Sequence, residues 1–176
     1  MPEAFAWQVV DSCPYATLAT VNQDGTPYCV PVSIARREKT LYFHCAAQGQ
    51  KSENLVRQPW ACISCVSWVH VPEGKFTTEY ASAIAQGPCA EVTDREEKIQ
   101  ALRLICQRYA ERYPQIRYFR TENHGVSAAR NFGLSKARGE CSLDRTAVWK
   151  VEAEQVTGKR KQYDSQGKEM KFGRME

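Results

Sequence analysis

The stretch "AAQGQKSENLVRQP" carries the most chemistry per residue in this chain. Gly49 breaks the chain and Lys51 and Ser52 follow at the start of a helix. Free backbone N–H groups, the positive end of a helix dipole, an ammonium and a hydroxyl then converge on one point, which suits a phosphate. Plain surface helices also begin this way, so both readings stay open on spacing alone. Cys62 and Cys65 form a CxxC, but "WACISCVSWV" reads as a strand, where residues three apart point to opposite faces. No second CxxC and no cluster of His completes a metal site, so none is expected. The basic run "TGKRKQYDSQGKEMKFGR" could touch nucleic acid or an anionic ligand. A solvated polar tail is the preferred reading, and nucleic acid is not expected as a partner.

The elements that must position these residues follow from pattern. The 176 residues are 43% apolar and 25% charged, with net charge +4, which describes one globular domain with a real core. No apolar run approaches the roughly 20 residues of a membrane helix. "MPEAFAWQVVDSCPYA" has neither a basic n-region nor an apolar h-region. A cytoplasmic protein is expected, and its eight Cys read as free thiols. "EAFAWQVVDSC" can form a helix. "YATLATV" and "YCVPVSIA" read as strands around a turn at Asp24-Gly25, and "TLYFHC" as a third. A short helix spans Ser52 to Arg57 and ends near Pro59. "WACISCVSWVHV" and "FTTEYASAIAQGPCAEV" are two long strands around "PEGK", of a barrel-type sheet. "TDREEKIQALRLICQRYAERY" is a helix with a capping box at Thr93 and Glu96. Its apolar stripe is Ile99, Leu102, Ile105, Cys106 and Tyr109, and Pro114 stops it. "IRYFRTEN" reads as strand or extended loop, "GVSAARNFGLSKA" as helix, and "TAVWKVEAEQV" as a closing strand before the tail. The expected fold is mostly β with helices outside, one domain over residues 1–164 and a polar tail over 165–176.

Several of these motifs occur in a familiar order. "Y-F-H-x-A-x-x-G-x-K" at Tyr42 to Lys51, "F-T-T-E-Y-x-S" at Phe76 to Ser82 and "R-T-A-V-W-K" at Arg145 to Lys150 resemble the pyridoxamine-phosphate-oxidase-like split barrels. Within them the chain resembles the nitroimidazole-resistance subfamily, over residues 12–113 and 141–164. The resemblance implies an FMN-binding split β-barrel with peripheral helices, and a homodimer with FMN in a groove between subunits. It implies that Lys51 and Ser52 hold the FMN phosphate and that Pro31, Val32 and Ser33 lie along the flavin ring. Phe43 and His44 lie on the strand leading into the phosphate loop. His44 is the candidate catalytic residue, a donor of a proton or hydrogen bond to a small acceptor; the other reading is a core histidine bonded to backbone. Trp68, Thr78 and Tyr80 are candidates from the neighbouring subunit, or else interface packing. The implied activity is an FMN-dependent oxidoreductase passing electrons from a reductant to a small-molecule acceptor. A non-catalytic module that stores or senses flavin or haem is the alternative.

One segment departs from that pattern. "ENHGVSAARNFGLSKARGE", within the atypical residues 115–140, resembles the "N-x-G-V-S-A-A-R-N-x-G" of family-2 glycosyltransferases. Those enzymes need a metal on an Asp-x-Asp to stabilise the leaving diphosphate. Here Glu140 is followed by Cys141, Ser142, Leu143 and Asp144, one carboxylate where a pair is needed. No nucleotide-binding half precedes it, so glycosyl transfer is not expected.

Overall fold

The computed structural model describes residues 1–74, 76–112 and 146–170, with the side chains of 111 and 112 left aside. The expectations for residues 115–140 lie outside the described residues. Helix α1 (Glu3–Ser12) leads into strands β1 (Ala16–Val21), β2 (Pro27–Val32), β3 (Ile34–Arg37) and β4 (Thr40–Ala46). Helix α2 (Gln50–Arg57), strands β5 (Trp60–His70) and β6 (Glu79–Glu91), and helix α3 (Arg95–Arg112) follow. The described chain ends in β7 (Thr146–Glu152) and β8 (Gln155–Lys161).

The strands run in the order β2-β1-β5-β6-β7-β4-β3, with β8 also paired to β6. Strand β6 is the hinge of this arrangement. Its first part pairs with β5 and β8, and its last residues, Cys89 to Glu91, pair with β7. The sheet therefore folds on itself at β6, and Leu18, Val32, Ile34, Phe43, Ile63 and Trp149 meet inside. This is a split β-barrel, mostly β with peripheral helices. Helix α1 contributes Ala6, Val9 and Val10 to that interior, while α3 packs Ala101 and Ile105 outside, against Ala35, Tyr42 and Val148.

Strict alternation along β5 and β6 places Ala61, Ile63 and Cys65 inward, with Ala81, Ala83 and Ala85 beside them. Cys62 and Cys65 thus face opposite ways, as a strand requires. None of the seven described cysteines is in a disulfide. In the core, the bond with Cys13 and then desolvation push the Cys65 thiol up, and burial pushes Cys89 up to about 12. Both stay protonated and unreactive.

Several expectations change: among them, "TAVWKVEAEQV" is not one strand but β7 and the start of β8, with a turn at 153–154. "YCVPVSIA" is two strands: β2 pairs with β1, β3 pairs with β4, and the chain crosses between them at Ser33. The basic run is no solvated tail at its start, because Gln155 to Lys161 pair with β6, and Gly158 lies against Phe5. Order continues through an Asp164 turn to Met170. The α3 cap is Asp94, one residue later than expected; its carboxylate accepts from the Glu97 N–H at 2.7 Å. Within the expected stripe, Cys106 is exposed, and Ala101 takes the buried place.

Candidate functional site

Strand β4 delivers His44, and the loop after it delivers α2. Gly49 stands before the helix at φ 131°, a conformation that side chains resist. The N–H groups of Gln50, Lys51 and Ser52 occupy the first turn, where a helix offers no internal acceptors. Glu53 is the first to bond back, to the Gly49 carbonyl at 3.0 Å. An open depression of about 350 Å³ lies at this helix end, lined among others by Gly49, Ser52, Glu53, Val56 and Arg57.

Lys51 is half-buried and close enough to His44 for its charge to act there. His44 is exposed, which removes the core-histidine reading. Partial desolvation of its ring, and then the Lys51 charge, hold its pKa below the ordinary histidine value. At neutral pH it is therefore an uncharged imidazole, able to donate from one nitrogen and accept at the other. The side chain of Ser52 is buried and committed: its hydroxyl donates to the Ala46 carbonyl at 3.3 Å. Only its backbone N–H is left to meet an anion.

The β2–β3 crossing comes to the same place. Ile34 pairs with Phe43 in the last step of the β3–β4 ladder. One step further brings Ser33 level with His44. Pro31 is exposed, whereas Val32 and Phe43 are core residues, 6% and 0% exposed. Of those two, only backbone groups can reach a ligand. So Pro31, Ser33, His44, Lys51 and the α2 N-terminus are gathered by one chain.

Trp68, Thr78 and Tyr80 are not. They lie around the far end of the β5–β6 hairpin, where Val69 pairs with Tyr80 and His70 with Glu79. Val92, which bonds the Val148 carbonyl, marks the level of His44, since His44 pairs with Val148. Tyr80 lies twelve residues before Val92 along the chain, with the fold of the sheet at β6 between them. The three do not share a face either. Trp68 pairs with Ala81 after a bulge and so lies on the face opposite Tyr80, stacked on His70 at 6.3 Å.

Two polar clusters escaped the sequence reading. Under α3, the Tyr42 hydroxyl donates to Glu97 at 3.0 Å and accepts from Arg37 at 2.7 Å, and Lys150 pairs with Glu97 at 3.1 Å. Beside α2, Asn54 is 1% exposed and bonds Thr20 and Asn22. The only signal for it was a polar residue beside Leu55 on the inner side of a short helix. Among the described residues no group of three or more His, Cys, Asp or Glu could hold a metal. No described helix is long and apolar enough to cross a membrane.

The family model for pyridoxamine 5'-phosphate oxidase matches residues 2–160. The chain belongs to this family. Its fold is similar to that of a Bacteroides thetaiotaomicron protein named for 5-nitroimidazole antibiotic resistance, at 23% identity and TM-score 0.64, over 89% of this chain and 82% of that one. It is also similar to a flavocytochrome from Azotobacter vinelandii, at 15% identity and TM-score 0.64, over 97% and 71% of the two chains. An FAD-binding protein from Mesorhizobium loti matches at 19% identity and TM-score 0.56, over 90% and 94%. At these identities the likeness is one of fold. No curated protein sequence matches the chain. The residues at the α2 end fit a family whose cofactor carries a phosphate: three first-turn N–H groups open at Gly49, and Lys51 follows in the same turn; the depression lies along the neighbouring face of the helix, which Gly49, Ser52, Glu53, Val56 and Arg57 line.

Proposed function

We propose that this protein is an FMN-binding oxidoreductase that reduces a small acceptor of the nitroimidazole type, working as a homodimer in the cytoplasm. The observation that carries the reading is the meeting of the α2 N-terminus and Lys51 with His44, in a member of this family. Lys51 and the N–H groups of residues 50–52 would hold the phosphate. Backbone groups of Pro31 to Ser33 would hold the polar edge of the ring. Bound FMN supplies the redox chemistry, two electrons taken from a reductant and passed to the acceptor. His44 stands beside this place as a neutral donor, suited to orient an acceptor or give it a proton.

The dimer has its own support. Outward side chains on β2, β1, β5 and β6 include Pro31, Thr17, Ala19, Cys62, Ser64, Val66, Ile84 and Gln86, none of them charged. Val66 and Ile84 are 40% and 44% exposed. An uncharged face of this breadth suits the core of a protein interface. Trp68 or Tyr80, whose pairings place neither beside His44 in its own chain, would reach the site of a second copy. Described cysteines outside any disulfide suit a reducing compartment.

The visible spectrum after incubation with FMN and gel filtration tests the reading. An oxidised-flavin band should travel with the protein, and a Soret band would favour the haem alternative instead. Lys51→Ala should weaken FMN binding by about 1.5–3 kcal/mol, the range for a charge-assisted hydrogen bond. Equal affinity in the variant and the parent removes Lys51 from the site.

A further inference from the structure

Helix α2 has eight residues and one fully buried apolar side chain, Leu55. A helix this short does not hold itself in water. One apolar anchor fixes where it sits and leaves its rotation about that anchor to polar contacts. Ser52 Oγ ties the start of the helix to the Ala46 carbonyl, and the side-chain contacts to the β1–β2 hairpin converge on Asn54. Its Nδ2 donates to Thr20 Oγ1 at 3.1 Å and to Asn22 Oδ1 at 2.9 Å. Its Oδ1 accepts from Gln50 Nε2 and from Arg57 Nη2, each at 3.0 Å. All four hydrogen-bonding positions of the amide are filled. Thr20 is 6% exposed and Asn54 1%, so the first of these bonds is shielded from water.

The partners on the other side are themselves fixed. Thr20 is on β1, and Asn22 opens the β1–β2 turn. Asn22 bonds the Thr26 hydroxyl at 3.0 Å, and the Asp24 carboxylate accepts from the Thr26 N–H at 3.0 Å. Arg57 adds a bond to the Val21 carbonyl at 2.9 Å. The hairpin held in this way is the one whose second strand runs on to Pro31 and Ser33.

We propose that Asn54 is the positioning residue of the cofactor site: it locks α2, with its phosphate-binding end, to the β1–β2 hairpin that carries the ring-facing residues, and so sets the spacing between the two halves of the site. This rests on the FMN reading above. The lock itself does not, because Lys51 is placed beside His44 by the same helix whether or not a ligand is bound.

The test compares the parent with Asn54→Leu, which keeps the branching and the number of side-chain heavy atoms but is bulkier and makes no hydrogen bonds, and with Thr20→Val, which removes one bond with little change of shape. FMN affinity is measured by titration. The His44 pKa is measured by NMR in ligand-free protein as a report on where Lys51 sits, with Lys51→Met defining the full Lys51 effect. In folded Asn54→Leu, the FMN dissociation constant should rise tenfold or more, and the His44 pKa should rise towards its Lys51→Met value. Thr20→Val should move both in the same direction by less, and it carries the test if Asn54→Leu does not fold. An unchanged His44 pKa in folded variants overturns the lock, whatever FMN does. Unchanged FMN affinity in a folded variant of a protein that binds FMN overturns the positioning role. If the parent binds no FMN, the FMN reading falls, and the His44 titration alone decides the lock.

Discussion

Gly87 sits where β6 passes from its partners β5 and β8 towards β7, and replacing it with alanine should damage the barrel at its hinge. A Cβ at this position would lie inside the van der Waals reach of the Glu152 carbonyl oxygen, 3.0 Å from its carbon and 3.1 Å from the Glu154 nitrogen. All three are backbone atoms, so no rotamer change relieves the clash. Heavy atoms rest about 3.5 Å apart, so β6 and the β7–β8 turn must separate by roughly 1 Å or more. That separation strains the Glu154 N–H bond to the Gln86 carbonyl, now 3.1 Å. Overpacking of this kind costs about 1–3 kcal/mol, and a lost backbone bond about 0.5–1.5 kcal/mol. The loss of glycine's freedom in the unfolded chain returns about 0.4–1 kcal/mol. A net loss of about 2–3 kcal/mol corresponds to a fall in Tm of roughly 4–12 °C for a chain of this size. Thermal unfolding followed by circular dichroism measures it. Gly74→Ala is the control: its φ of 70° strains a side chain, but nothing lies within 4 Å. A Gly87→Ala protein as stable as the parent would refute the close approach and with it the geometry of the hinge.

Glu97→Gln should destabilise at neutral pH by about 1 kcal/mol, the scale of a partly exposed pair. Desolvation alone would raise Glu97, but bonds from Lys150 and Tyr42, with the Lys150 and Arg37 charges, together hold its pKa below the ordinary carboxylate value. A depressed folded pKa stabilises above the unfolded value and is lost as pH falls through the folded one, so urea titrations of the two proteins should converge as pH falls below the ordinary carboxylate range. Ile84→Lys places a charge on the β6 side of the uncharged outer face, where β8 already carries Lys159 opposite Ser82; light scattering should shift from dimer to monomer, and a variant that stays dimeric moves the interface elsewhere. Glu53→Gln removes a carboxylate from the depression at the α2 end, and FMN titration should show binding tighter by about 0.2–1 kcal/mol. Unchanged or weaker binding would place the phosphate away from Glu53.

Alternation made β5 and β6 legible because their two faces meet different surroundings. Boundaries were less so where the decision is made by a distant partner. "YCVPVSIA" keeps its inward spacing through Val32 and Ile34, both buried, so nothing local marks Ser33. The break exists because residues on one side of it pair with β1 and those on the other with β4. Strand β8 failed for the opposite reason. Its residues are polar, but an edge strand needs only backbone pairing and a small inward surface, here Val156 and Gly158. At the start of α3 the sequence offers two equivalent boxes, Thr93 with Glu96 and Asp94 with Glu97. Asp94 is the cap that is used, and the Glu97 carboxylate, instead of closing a box, bonds Lys150 and Tyr42 on the sheet beneath.

The site shows the same division between local and distant causes. Gly49, Lys51 and Ser52 were readable because a helix start needs only neighbouring residues. Even there, burial reassigned Ser52 Oγ to the Ala46 carbonyl, a bond across six residues that spacing does not reveal. The nearness of Lys51 to His44 depends on how α2 folds back against β4, and the Asn54 bonds that hold α2 span 32 and 34 residues. Trp68 and Tyr80 mark the limit of a one-chain account. A sequence resemblance groups them, the register puts them on opposite faces, and their pairings place neither beside His44 in its own barrel. If they act in the site, they act across an interface. On the dimer proposed above, the uncharged outer face beside Pro31 would be the surface that brings one of them to the site, which makes the oligomeric state of Ile84→Lys a test of the site as much as of the dimer.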